Sequence, residues 1–463
     1  MIFDHATVVT VDADRRIVRD GAIAVSGTRI AGVGPREEIL RRFPDDRERT
    51  DLHGMVVLPG LVNTHVHQSQ ALIRGCADDR ALVEWLIERV WPLQGNYTPE
   101  DARTSAELCL LELLRSGTTA FIETMLAGRY GFDGIVEAVA SCGIRAALSR
   151  IVMDVSTYAE EEVGSMHPGM IEDGRESFAD ALQLHDRWNG AADGRIQVWF
   201  GPRPPGGCTS EIYREVTAAA RERGMGITMH LAEVHQDVEY IRNRFGMSPV
   251  EYVASLDMVG PRVVLVHCVH LGDRDIATLS ETGTHVSHNP ASNAKLGSGI
   301  APIPAMLAAG VNVGLGTDGG PSNNSYDLLS DMRLASYVHK AAGDPSVTPS
   351  EAVLEMATIA GARAMGLEDR IGSLEEGKEA DFVAIDMDKP HLTPAPDPVA
   401  TIVCGAKASD VHTVVIGGEA VIRNDQVLTM DEERILAEAN RRAPEVYARA
   451  SVPFVPRWPT ALL

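Results

Sequence analysis

Two histidines one residue apart, in Asn63-Thr64-His65-Val66-His67, close an apolar run. In an extended strand positions i and i+2 face the same side, so His65 and His67 point together. Two converging imidazoles suit a borderline divalent cation such as Zn²⁺ or Fe²⁺. Alone, such a pair is more often two polar residues at a strand end. Here His230 ends a later apolar run, His267 the next, and Asp318 another. Singly, each histidine would more often be a hydrogen-bonded core residue, and Asp318 a helix cap. Five such residues at the ends of the first, fifth, sixth and eighth runs read as one metal centre. The fourth run ends in Trp199-Phe200-Gly201-Pro202-Arg203, with no Lys or Glu to bridge two ions, so a single metal is expected.

Glu233 stands three residues beyond His230, where the strand has ended and a loop begins. In an acidic chain its bland reading is a solvated loop glutamate. Beside a metal it can move protons between water, a ring and a leaving group. A bound metal lowers the pKa of its water to about 7. Asp318 can ligate that metal and also take the water's proton, and His267 can orient the nucleophile or polarise a substrate. There is no G-x-S-x-G elbow, and Cys268 falls on the opposite strand face from His267, toward the core.

These residues need a scaffold that brings distant strand ends to one rim. Eight short, nearly continuous apolar runs, each followed by a helical stretch, fill the middle of the chain, from "MVVLPGLVNTHVH" to "VNVGLGTD". Parallel strands buried on both faces read this way, and eight of them make a (β/α)8 barrel with its active site at the C-terminal rim. Both chain ends instead carry β-branched runs broken by Asp-Gly and Ser-Gly turns. The expected fold is α/β, a distorted TIM barrel at 59–369 beside a small β-sandwich. Residues 1–58 and 370–463 would build that sandwich, the latter adding a terminal helix. "KPHLTPAPDP" reads as a loop.

With 42 Lys+Arg against 65 Asp+Glu, the 463-residue chain has a net charge of −23, which argues against nucleic acid and anionic membranes as partners. No run approaches a membrane span and the N-terminus lacks a secretory pattern. Six dispersed cysteines without a C-x-x-C pair read as reduced thiols of a cytoplasmic protein.

The motifs "LPGLVNTHVH", "HLAE", "VHCVHL", "SHNPASNAKLGSGIAP" and "GLGTDGGPSNNS" resemble the amidohydrolase superfamily, in its branch of deaminases acting on amino-heterocycles. The similarity spans nearly the whole chain, and "IGSLEEGKEADFVAID" resembles the family's return into the small domain. The resemblance implies that His65, His67, His230 and Asp318 hold the metal, Zn²⁺ foremost and Fe²⁺ as the other candidate. It also implies that Glu233 and His267 are the acid–base and water-orienting pair, and that the protein is a homodimer or homotetramer.

Three subfamilies share parts of the pattern. The body of the chain is most similar to 5-methylthioadenosine/S-adenosylhomocysteine deaminases, with Arg150 at a family position. Those enzymes carry Glu where this chain has Gln94 and His where it has Arg203, both serving nucleoside binding. Guanine deaminases share Gln70 and Arg203, whose amide and guanidinium suit the polar edge of a purine. The s-triazine hydrolases share Gln70 and Gln94. Ser322 reads equally as a substrate contact or a turn residue beside Pro321. Trp85, at helical spacing with Leu82 and Leu86, reads as core or as a stacking wall of the pocket.

The resulting expectation is a mononuclear metal-dependent deaminase releasing ammonia from an exocyclic amine on an N-heterocycle, with a free base or similar small ring preferred. The alternatives are triazine dechlorination or N-dealkylation, a thioether-nucleoside deaminase, and a catalytically silent paralogue serving as a scaffold. Loss of ligands would mark the last, and none is lost.

Overall fold

A computed structural model describes residues 1–157, 166–341, 343–453 and 458. The chain begins in a sheet built from both ends. From the N-terminal side come β1 (Ile2–Val9), β2 (Ile17–Ser26), β3 (Arg29–Pro35), β4 (Arg49–Asp51) and β5 (Met55–Pro59). The barrel follows as β6 (Leu61–His67), β7 (Thr118–Leu126), β8 (Arg145–Val152), β9 (Ile196–Pro202), β10 (Ile227–Leu231), β11 (Val263–His267), β12 (His285–His288) and β13 (Val313–Leu315), with a short continuation β14 (Asp318–Gly319). The chain then returns to the first sheet through β15 (Phe382–Asp386), β16 (Val411–Ile416), β17 (Glu419–Arg423) and β18 (Gln426–Val427).

The end sheet runs β18-β17-β16-β15-β5-β1-β2-β3, with β4 beside β1. Its join is antiparallel pairing of β15 with β5, Phe382 opposite Pro59 and Asp386 opposite Met55. One face of the sheet carries a core in which Phe3 meets Phe382 edge-on at 4.9 Å, while Val56, Leu58, Val383 and Ile385 of the same strands join the main core. The first apolar run of the sequence is thus divided at Gly60: Met55–Pro59 serves this sheet and Leu61–His67 the barrel.

The barrel strands are parallel and closed, β13 and β14 both pairing with β6. The eighth strand breaks between them at Gly316 and Thr317. Asn63 spans the break with its side chain, Nδ2 donating to Thr317 Oγ1 at 2.8 Å and Oδ1 accepting from the Thr317 N–H at 3.2 Å. Glycine is required at 316, because a Cβ there would lie 2.7 Å from the His65 Cβ and 2.4 Å from Asn289 Oδ1. Barrel and end sheet are pinned together by a buried ion pair: Arg145 Nε on β8 reaches Asp381 at 2.6 Å. The terminal helix Glu432–Ala450 docks on the barrel helix Pro99–Arg115 by pairing Arg442 and Arg449 with Asp101.

Among the described residues no helix is long and apolar enough to cross a membrane.

Candidate active site

The five strand-end residues converge. His65 and His67 come from β6, His230 from β10, His267 from the end of β11 and Asp318 from β14. Nε2 of His67 lies 3.3 Å from Nε2 of His230, and Asp318 Oδ1 lies 3.3 Å from His65 Nε2 and 3.5 Å from His67 Nε2. His65, His67 and His230 form one group of potential ligand atoms, and His65, His267 and Asp318 another. Several of these strands end in backbone that non-glycine residues rarely adopt: φ is +71° at His267, +67° at Asp318, +52° at Ala232 and +70° at Met125. Such conformations are costly and are kept where the surrounding fold fixes them, often at working sites.

The donor set fits a divalent cation. Burial holds all three histidines of the first group below their usual pKa, His67 to about 3. Neutral imidazoles present lone pairs, and His65 Nε2 is buried without a hydrogen-bond partner while Nδ1 faces Thr124 Oγ1 at 3.0 Å. Burial pushes the Asp318 carboxyl up, but His65, His67 and His267 more than offset this and keep it well below the usual carboxylate range. Imidazole lone pairs and an anionic oxygen thus crowd one point, an arrangement that repels itself unless a cation sits among them.

Glu233 stands beside the donors, its Oε2 3.5 Å from His267 Nε2. Burial raises it to about 7, a value at which a carboxyl both gives and takes a proton near neutrality. Asp237 accepts the N–H groups of Glu233 and Val234 at 3.0 and 3.2 Å, fixing the loop. His267 Nδ1 lies 2.9 Å from Asn293 Oδ1 and 3.2 Å from Asn289 Nδ2, which fix the ring with Nε2 toward Glu233. Ser292 donates to Asp318 Oδ2 at 2.6 Å. Burial pushes the Cys268 thiol up, which leaves it a poor nucleophile.

A cavity of about 790 Å³, counted to its open mouth, lies over this centre. Gln70, Trp85, Gln94 and Arg203 all line it. Gln70 reaches in because residue 319 is glycine, where a Cβ would sit 1.8 Å from Gln70 Oε1. Gln94 Nε2 donates to Ser69 Oγ at 3.0 Å, and the Arg203 guanidinium stacks 5.6 Å from the Trp91 ring centre. Trp85 donates through Nε1 to the Pro321 carbonyl at 3.4 Å, so it forms wall and is buried at once.

Two expected contacts lie elsewhere. Arg150 alternates with Ile151, which lines the cavity, and so faces the opposite side of β8; there it pairs with Glu172 at 2.6 Å and Asp180 at 2.7 Å. Ser322 closes its own turn, its hydroxyl accepting from the Gly319 N–H and donating to the Gly319 carbonyl, both at 3.0 Å.

Other site residues carry no sequence signal of their own. Glu123, fully buried on β7, accepts from the Gln68 N–H at 2.6 Å and lies 3.9 Å from His67 Nδ1. Trp91 enters the wall through a change of helix type. Leu82–Trp85 is α-helical, Leu86–Val90 forms a π-turn, and Trp91–Gln94 is α-helical again. The wider turn absorbs an extra residue, so Trp91 and Gln94 share the cavity face with Trp85 and Leu86. A helical wheel drawn from Leu82 misses them.

Fold and family together define a barrel hydrolase, with the clustered side chains gathered at the C-terminal rim of its strands. The pattern described as the amidohydrolase family matches residues 56–421, and an imidazolonepropionase-like composite domain of bacteria matches residues 21–45. The chain belongs to the amidohydrolase family. The 5-methylthioadenosine/S-adenosylhomocysteine deaminase of Pelotomaculum thermopropionicum is 41% identical over 444 residues, 96% of this chain and 98% of that relative. The crystal structure of a zinc-bound adenosine deaminase from Xanthomonas campestris superposes with a TM-score of 0.89 at 30% identity, covering 96% of this chain and 98% of that one. The zinc-complexed atrazine chlorohydrolase of Arthrobacter aurescens gives 0.87 at 27%, covering 96% and 100%.

Proposed function

We propose that this protein is a hydrolase of carbon–nitrogen bonds in cyclic amidines: a deaminase that uses one divalent ion, Zn²⁺ foremost, to release ammonia from the exocyclic amine of an adenine-type ring. The observation that carries this is the meeting of four donors with Glu233 and His267 in one cavity. The adenine-type ring is supported by the deaminases named for adenosine and its thioether derivatives among the relatives.

His65, His67, His230 and Asp318 would hold the ion. Bound there, it supplies Lewis acidity that makes water a usable nucleophile at neutral pH. Asp318 accepts the water's proton and returns it to the departing amine. Glu233 gives a proton to the ring nitrogen beside the carbon under attack, so that negative charge does not build up on the ring. His267, with Nε2 facing Glu233, hydrogen-bonds the attacking water and aims it. Gln70 offers an amide to the ring edge next to Asp318.

A second reading is favoured by Gln94 and Arg203, which line the cavity where a nucleoside-binding relative of the sequence pattern carries Glu and His. It makes the substrate a free base or small ring bearing a carbonyl for the guanidinium. Ammonia release from metal-loaded protein separates the two, using adenosine and its 5′-thioethers, guanine- and pterin-type bases, and aminotriazines. Turnover of the adenosines supports the first reading, and of the bases alone the second. Chloride or alkylamine release from triazines without any ammonia overturns both.

A further inference from the structure

Asp331 sits in the first turn of the helix Leu328–Lys340, 1% exposed and outside the cavity wall. Its two carboxylate oxygens are divided between two stretches of chain. Oδ1 accepts from the N–H of Ala291 at 3.3 Å, and Oδ2 accepts from Asn323 Nδ2 at 2.8 Å. The same Asn323 amide donates to the Thr317 carbonyl at 2.9 Å. The first stretch is the helix Pro290–Lys295, which carries Ser292 and Asn293, the partners of Asp318 and His267. The second begins at Thr317, immediately before Asp318.

We infer that Asp331 is a positioning residue that clamps the Ser292–Asn293 helix to the Asp318 turn and so sets Asp318 and His267 relative to each other. The inference rests on the roles proposed above for those two residues. Both groups that reach Asp331 are donors and each of its two oxygens accepts one of them; an amide would offer a single oxygen and set its NH2 against the second donor. Its partners are a backbone N–H and an amide rather than a cation, so burying it is expensive. A costly group held where it touches no substrate is explained by what it aligns. Displacing a reacting group by about 1 Å costs on the order of 100-fold in rate.

The test compares Asp331→Asn with Val415→Ala, a truncation in the core of the end sheet. Amide hydrogen exchange is followed in peptides spanning 288–296 and 315–324, without metal or substrate, beside steady-state kinetics of the loaded enzyme. Exchange in Asp331→Asn should rise about threefold or more in both peptides, because the amide keeps one acceptor but sets its NH2 against the other donor, which loosens the clamp as a whole. Its kcat should fall roughly 10- to 100-fold with KM within about threefold of wild type, while Val415→Ala changes neither peptide nor kcat. Should Asp331→Asn not fold, Asn323→Ala breaks the second arm alone and should raise exchange in 315–324 with the same kcat loss. Unchanged exchange in either peptide of Asp331→Asn, or a kcat loss no larger than that of Val415→Ala, overturns the inference. If no compound yields ammonia, the deaminase reading falls. Exchange alone then decides, a joint rise supporting the clamp and a rise in one peptide or neither overturning it.

Discussion

The rings of His67 and His230 lie 6° from parallel with their Nε2 atoms 3.3 Å apart, although the two residues come from the first and fifth strands of the barrel. Burial keeps both neutral, so two uncharged ring nitrogens are held against each other across that gap. A cation among them turns repulsion into bonding, and its removal should be felt by the whole fold.

Chelation is therefore expected to lower the melting temperature by a few degrees, and stoichiometric Zn²⁺ to restore it. A ligand at about 1,000 times its dissociation constant stabilises by roughly 4 kcal/mol. Calorimetry with and without metal checks this. His67→Ala should lose both the bound metal and the response, and an unaltered melting curve on chelation would remove the metal centre from the account.

Glu233→Gln should keep the metal and the fold but lose about 100- to 10,000-fold in turnover, because the amide has no proton to exchange with the ring. Metal content and kcat on one preparation decide it. Full activity would take Glu233 out of the chemistry.

The pH profile follows from burial, which raises Glu233 to about 7. As a proton donor it works in its protonated form, which dominates below that value and declines tenfold per unit above it. kcat/KM should therefore fall on the alkaline side of about pH 7. In Glu233→Gln the residual activity should lack this limb, and a limb that persists there belongs to another group.

Arg145 and Asp381 are both almost fully buried where barrel and end sheet meet. Arg145→Ala leaves a carboxylate without its cation and should cost about 3–5 kcal/mol in denaturant unfolding. Because the pair lies outside the cavity wall, kcat of the folded fraction should stay within about twofold of wild type.

Gln94→Glu should move selectivity toward nucleosides, since a carboxylate accepts from two sugar hydroxyls, and the Ser69 hydroxyl that now accepts from Gln94 can turn to donate to it. The ratio of kcat/KM for adenosine over the best free base should rise about tenfold. No change in that ratio would take residue 94 out of substrate choice.

The residues that meet at the barrel rim were legible where their type and their place at a strand end spoke together, as for His65, His67, His230, His267 and Asp318. Arg150 misled because every residue of Arg145–Val152 is buried, so no polar–apolar alternation shows which side faces the cavity. Ser322 was open to both roles because a hydroxyl that closes a turn looks, in sequence, like one that meets a ligand. Ser292, Asn293 and Asp331 act through partners far away in the chain, and only tertiary structure brings them there. The barrel was readable from its eight runs. The division of the first run at Gly60 and the break in the eighth strand depend on pairing, which composition does not encode.

The π-turn at Leu86–Val90 sets the phase of one wall of the cavity. Residues before it and after it face the substrate only because one register step is stored between them. Deleting a single residue there would remove the extra step and keep Trp91 and Gln94 on the pocket, whereas straightening the turn at its present length would swing both by about 100° and leave Trp85 in place. In this wall the lining of the cavity is set by turn geometry as well as by letter, and a chain with the same side chains and the same count but an ordinary pitch here would present a different pocket.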